Sequence, residues 1–122
     1  MTDAEEPIRA FKTAWFAKVA RNARISDEAL CEAIAQVRLG QADNLGGGVF
    51  KKRLDKNRSR SIILAKGGRY WVYAYLFAKK DRANIEDDEL KAFRKLADLY
   101  ATKTDVEIDM ELKAKELAEI CK

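Results

Sequence analysis

The chain has 122 residues, 48% of them apolar, enough for one folded core, and it is read as a single domain over residues 1–122. No apolar run approaches the ~18 residues of a membrane span, and the opening MTDAEEPIRA is acidic and polar, so neither a membrane protein nor a signal peptide is indicated and a cytoplasmic location is expected. The net charge is only +4, but residues 1–48, 49–82 and 83–122 carry −1, +9 and −4, which points to nucleic acid or an acidic protein as the partner of the middle segment.

The elements follow in chain order. FKTAWF (11–16) starts as a short strand and runs into a helical turn through Val19 and Ala20. Ser26 as N-cap, Asp27 and Glu28 in the first turn, apolar Leu30, Ile34 and Val37, and Gly40 just past the end define a helix with a start and a stop. QADNLGGG (41–48) reads as a turn or loop, its glycines letting the chain bend or a ligand come close. Three strands follow: VFKKRL (49–54), RSIILAK (60–66) and RYWVYAYLFA (69–78). Lys66, Gly67, Gly68 and Arg69 join the last two as a tight hairpin, so the meander is antiparallel.

Asn84 or Asp87 then caps a helix with the stripe Leu90, Phe93, Leu96, Ala97 and Tyr100. Thr104 and Glu107 have capping-box spacing, and Met110, Ala114, Leu117 and Cys121 continue at helical intervals, although ELAEIC can equally form an edge strand. Cys31 and Cys121 lie ninety residues apart with no CxxC spacing, and no histidine exists to complete a zinc site. Both are read as reduced, buried, small apolar side chains, and no metal or other cofactor is expected.

Alternation along a strand sorts the cations. If Phe50 and Leu54 face the core, Lys51 and Arg53 face the other way, with Arg60 close by on the next strand and Lys52 at the core margin. The aromatic strand divides into Tyr70, Val72, Ala74 and Leu76 on one face and Trp71, Tyr73, Tyr75 and Phe77 on the other, and it ends at Lys79, Lys80 and Arg82. Tyr73 and Tyr75 are either core or a stacking platform for an unpaired base, with Lys56, Arg58 and Lys79 as further RNA contacts.

GGGVFKKRL, then RSIILAKGGRYWVY, then FAKKDRANI before an acidic helix start resemble the RelE/HigB branch of the RelE/ParE toxin superfamily over residues 10 to 100. The resemblance implies a small α+β fold, with N-terminal helical elements packed on an antiparallel sheet and helices toward the C-terminus. It further implies a type II toxin: a metal-independent endoribonuclease that cleaves mRNA on the ribosome, with a cognate antitoxin, often of helix-turn-helix type. By position, Lys51 and Arg53 match the family's basic pair facing the RNA, Arg60 the arginine at the scissile phosphate, Lys80 a transition-state-stabilising arginine, and Arg82 a further basic residue of the turn. The family's tyrosine or histidine proton-transfer groups have no counterpart here, since the position after the turn reads Asn84, Ile85, Glu86.

Lys51, crowded by like charge, is the candidate base, and Lys80 the candidate acid or charge stabiliser, because arginine does not give up its proton near neutral pH. Two other classes fit the same basic surface: a ParE-like gyrase inhibitor, and a non-catalytic RNA-binding regulator.

Overall fold

A computed structural model of the protein describes residues 8–122; the acidic start of the chain, residues 1–7, lies outside them. β1 (Arg9–Thr13) passes directly into α1 (Ala14–Asn22), because Thr13 stops extending and caps the helix, its hydroxyl accepting from the Phe16 N–H at 3.1 Å. α2 (Asp27–Arg38) is capped by Ser26, which accepts from the Ala29 N–H, and it ends before Gly40 at φ +86°. The strands β2 (Asp43–Gly46), β3 (Val49–Leu54), β4 (Ser59–Leu64) and β5 (Tyr70–Ala78) follow. The chain then forms α3 (Asp87–Thr102), α4 (Asp105–Lys113) and β6 (Leu117–Ile120).

The sheet runs in the order β2-β3-β4-β5-β1-β6, and every neighbouring pair is antiparallel except β1 and β5. Helices cover both faces. α1 and α2 pack Phe16, Leu30, Ile34 and Val37 against Ile63, Trp71 and Tyr73, while α3 and α4 pack Ala97, Tyr100 and Ile108 against Phe11, Val49, Leu64 and Val72. The fold is α+β, as the sequence implied. No helix among the described residues is long and apolar enough to cross a membrane.

Four sequence expectations need correction. The 41–48 segment is not all loop, since Asp43 to Gly46 pairs with β3. Its glycines are close-packed against protein groups: a Cβ on Gly48 would lie 2.7 Å from the Lys66 Cα, and one on Gly47 2.7 Å from the Arg94 side chain. The cap of α3 is Glu86, in a reciprocal capping box with Glu89, and neither Asn84 nor Asp87. The helical spacing beyond Met110 breaks at Lys113, and of the two readings of ELAEIC the edge strand is the one formed, because Ala10, Phe11, Lys12 and Thr13 offer it a free edge to pair with. Last, Cys31 and Cys121 are joined, with an S–S distance of 2.03 Å. Their ninety-residue separation set no bound on distance: β6 runs beside β1, Ile120 sits in the core with Leu30, and each cysteine follows one of those two residues.

A register shift opposite Ile62 and Ile63 leaves Ala74 without a partner and reverses the parity of β5. Trp71, Tyr73 and Leu76 therefore face α1 and α2, whereas Tyr75 packs with Ala74 and Phe93 on the α3 side. Tyr73 is wholly buried and donates from its hydroxyl to the Leu30 carbonyl at 2.6 Å, so it offers no ring face to a base. Burial holds the Tyr73 phenol far above the ordinary tyrosine range, and burial followed by Glu111 pushes Tyr100 up to about 12. The folded protein thus keeps protons that the unfolded chain releases near pH 10, so stability is complete below that value and falls as pH rises above it. Tyr73→Phe should cost roughly 1 kcal/mol at neutral pH, yet lose less than the wild type on going to high pH. Denaturant midpoints at about pH 8 and about pH 11 test this; equal losses in the two proteins would refute the assignment.

Candidate nucleic-acid interface

The meander β3-β4-β5 builds a basic face by register alone. Arg53 lies opposite Arg60, and Arg60 opposite Phe77; Lys51 lies opposite Ile62, and Ile62 opposite Tyr75. Directly paired residues share a face. Lys51, Arg53, Arg60, Tyr75 and Phe77 therefore lie on the side of the sheet that α3 covers, beyond the end where Val49, Leu64 and Val72 meet that helix. Leu54 is buried and Phe50 packs on the opposite core.

Arg60 is the most enclosed of these cations, at 8% exposure. Its Nη1 donates to the carbonyls of Asn57 at 3.0 Å and Ser59 at 3.2 Å, and no carboxylate among the described residues pairs with it. Those carbonyls are presented by the β3–β4 turn, where Asp55, Lys56 and Asn57 all have positive φ, at 53°, 52° and 72°. Three successive non-glycine residues in that region are costly, so the turn is held by its surroundings, Arg60 included. Lys56 and Arg58 stand exposed on it.

Lys51 reaches from the strand to the turn after β5, donating from Nζ to Asn84 Oδ1 at 3.3 Å, with Asp43 Oδ2 at 3.6 Å. Arg82 is engaged on every side. Its two terminal nitrogens donate to Glu89 at 3.1 and 2.5 Å, Nη1 also to the Tyr75 hydroxyl at 3.2 Å, and Nε to the Asn84 carbonyl at 3.0 Å. The guanidinium lies over the rings of Phe77 and Tyr75, 5.5 and 6.0 Å from their centroids. The hydrogen bonds from Arg82, and then from the Glu86 N–H, hold the Glu89 carboxyl below the usual range. Arg82 is thus a charge-balanced strut, and its availability to phosphate depends on Glu89 letting go.

The remaining candidates lie elsewhere. Lys79 and Lys80 are exposed in the turn after β5 and line a cleft of about 730 Å³ with Arg58, Ser59, Ala78 and Ala23, on the α1 side of the sheet. Lys52 lies on the Phe50 side and donates to the Gln41 carbonyl at 2.9 Å, and burial, with Arg53 adding to the effect, holds its ammonium below the usual range. Two participants were missed in the sequence. Glu89 was legible as the last residue of an E-x-x-E capping spacing, but its second role, gripping Arg82, was not. Trp15 is 48% exposed and stacks on Tyr75 at 5.0 Å, a contact that needs both the bulge in β5 and the Thr13 cap.

Much of the acidic C-terminal third is engaged away from this surface. Asp105, Asp109 and Glu119 surround Arg9 at 2.9 to 3.3 Å, and Tyr70 donates to Asp105 at 2.7 Å, tying β1, β5, β6 and α4 together at the other end of the molecule. The same segment also reaches the basic one, since Asp98 pairs with Lys66, Asp105 with Arg69 and Glu89 with Arg82, so part of the +9 is balanced within the fold; among the described residues no ion pair involves Arg53, Arg58, Arg60, Lys79 or Lys80.

Comparison with curated proteins returned no match. Residues 8–120, which contain the six strands and four helices of the described residues, match the family model described as the RelE toxin of the RelE/RelB toxin–antitoxin system. The chain therefore belongs to the RelE toxin family, the toxin half of a toxin–antitoxin pair, and that membership implies an antitoxin partner.

Proposed function

We propose that this toxin is an endoribonuclease of the RelE/HigB kind that cleaves mRNA held on the ribosome. The observation that carries the reading is Arg60: a nearly buried guanidinium, in a cluster with Arg53 and Lys51, whose acceptors are two neutral carbonyls. A desolvated cation without a carboxylate favours an anionic ligand with paired oxygens, and a phosphodiester matches the planar fork of arginine.

In this reading, the 2′-oxygen of the RNA attacks the adjacent phosphorus, its proton passes to a base, and the 5′-oxygen leaves after taking a proton from an acid. Arg60 and Arg53 neutralise the charge that builds on the phosphoryl oxygens, the task to which preorganised donors contribute most. Lys51 is the proposed base, and the Asn84 amide orients its amine. Lys80, in the cleft with Lys79 and Arg58 and apart from Arg53 and Arg60, adds positive charge to the field around the strand. With such weak proton-transfer groups, alignment of the 2′-oxygen must come from outside the protein, and the ribosome provides it. An antitoxin, of helix-turn-helix type in this proposal, would cover the same basic surface.

Primer extension on a reporter mRNA, with purified ribosomes and without them, is the test. The expected result is cleavage within translated codons in the presence of ribosomes only. Intact mRNA under both conditions, combined with inhibition of purified gyrase, would overturn the reading.

A further inference from the structure

The basic face does not end at Arg82. After Lys12 pairs with Tyr73, β1 turns away into α1, so the edge of β5 from Tyr75 to Ala78 has no strand beside it and is bordered by α1. A groove of about 350 Å³ runs between them, with Trp15 and Val19 of α1 and Ala23 just past its end facing Tyr75, Leu76, Phe77 and Ala78. It shares Ala23, Ser59 and Ala78 with the larger cleft of Lys79, Lys80 and Arg58. Apolar walls thus end in Lys79, Lys80 and Arg58 on one side, with Asp55 and Asp81 as the acids of the lining, and in Arg82, which Glu89 balances, on the other.

Resting on the RNA-cleavage reading, the geometry points to this groove as a second RNA subsite, in which one unpaired base stacks on the indole of Trp15 while its flanking phosphates lie on Arg58, Lys79 and Lys80. Three features select such a ligand. The indole is braced from behind by Tyr75, nearly parallel at 20°, and nearly half exposed, the arrangement of a preformed platform. Tyr75 in turn accepts a hydrogen bond from Arg82, so the platform is coupled to the phosphate-binding face. The Ala78 carbonyl already accepts from the Asp81 and Arg82 N–H groups, but the β5 edge before it has no strand partner on this side, and its backbone groups suit a base edge better than an apolar ligand. The subsite explains why Lys79, Lys80 and Arg58 sit apart from Arg53 and Arg60: they hold the next stretch of the same strand.

The test is a fluorescence titration of the full chain with a single-stranded oligoadenylate, without ribosomes, and with polyglutamate as an anion lacking bases. Trp71 is 7% exposed and Trp15 48%, so quenching on binding reports chiefly on Trp15, and Trp71→Phe confirms the source. RNA should quench and polyglutamate should not. Read by the anisotropy of a dye-labelled oligoadenylate, since these variants lack the reporting indole, Trp15→Ala should weaken RNA binding at least about fivefold, the lower end for one base–aromatic stack, and Trp15→Phe, which keeps a ring over Tyr75, should recover most of the loss. Unchanged affinity in Trp15→Ala, with binding still lowered by Arg60→Ala, would overturn the subsite and leave the nuclease reading standing. Equal quenching by polyglutamate would overturn base recognition. No RNA binding by the wild type at all would overturn both.

Discussion

Arg60→Ala should reduce ribosome-dependent mRNA cleavage by on the order of a hundredfold to a thousandfold, the usual cost of losing one preorganised donor to a developing oxyanion. The side chain is nearly buried, opposite Arg53 in the sheet, and its guanidinium donates to the neutral carbonyls of Asn57 and Ser59. Arg60→Lys should recover the charge but not the fork, leaving an activity between the two. Arg60 also holds the carbonyls of the β3–β4 turn, so melting curves must accompany the rates. A folded Arg60→Lys with a melting temperature near that of the wild type and a large loss of single-turnover rate places the defect in the chemistry. Full-rate cleavage by Arg60→Ala would remove Arg60 from the mechanism and leave its buried charge as a turn-holding device.

Opening the Cys31–Cys121 bond should have the largest effect on stability. The bond closes a loop of ninety residues, nearly the whole fold, and a native crosslink of that span contributes on the order of 2–5 kcal/mol, chiefly by restricting the unfolded chain. It also fastens the end of β6, a four-residue edge strand paired only with β1, to α2. Reductant, or the double variant Cys31→Ala with Cys121→Ala, should therefore lower the melting temperature by about 10 °C. β6 should then exchange its amide hydrogens before the rest of the sheet. Disulfides persist in oxidising surroundings and are kept open by cytosolic reductants, so the melt in reductant measures the protein as a cytosol would hold it. Identical melting with and without reductant would show that the bond contributes nothing to the fold.

Much of this protein was legible residue by residue because its signals are local. Ser26 and Gly40 bound a helix through the hydrogen bonds of its first and last turns, and Thr104 with Glu107 closes a capping box three residues wide. The period of two placed Lys51 and Arg53 opposite in direction to Phe50 and Leu54, and the packing agrees. The concentration of +9 in 34 residues needed no coordinates to suggest an anionic partner.

What the tertiary structure decided is where those signals meet. A single unpaired residue, Ala74, turned Tyr75 away from Tyr73, so one tyrosine became core and the other the backing of an exposed tryptophan. Parity counting assumes an unbroken ladder, and a bulge is set by the partner strand rather than by the residues that form it. The parallel pairing of β1 with β5 brought the start of α1 to the β5 edge, and the pairing of β6 with β1 brought Cys121 to Cys31. Glu89 found Arg82 through the turn that separates β5 from α3. Helix caps and strand alternation are energies of neighbours three residues apart or fewer, and a sequence states them outright. Which edges pair, and which charges are left without a partner, are energies of the closed fold, and they exist only once the chain has returned to itself.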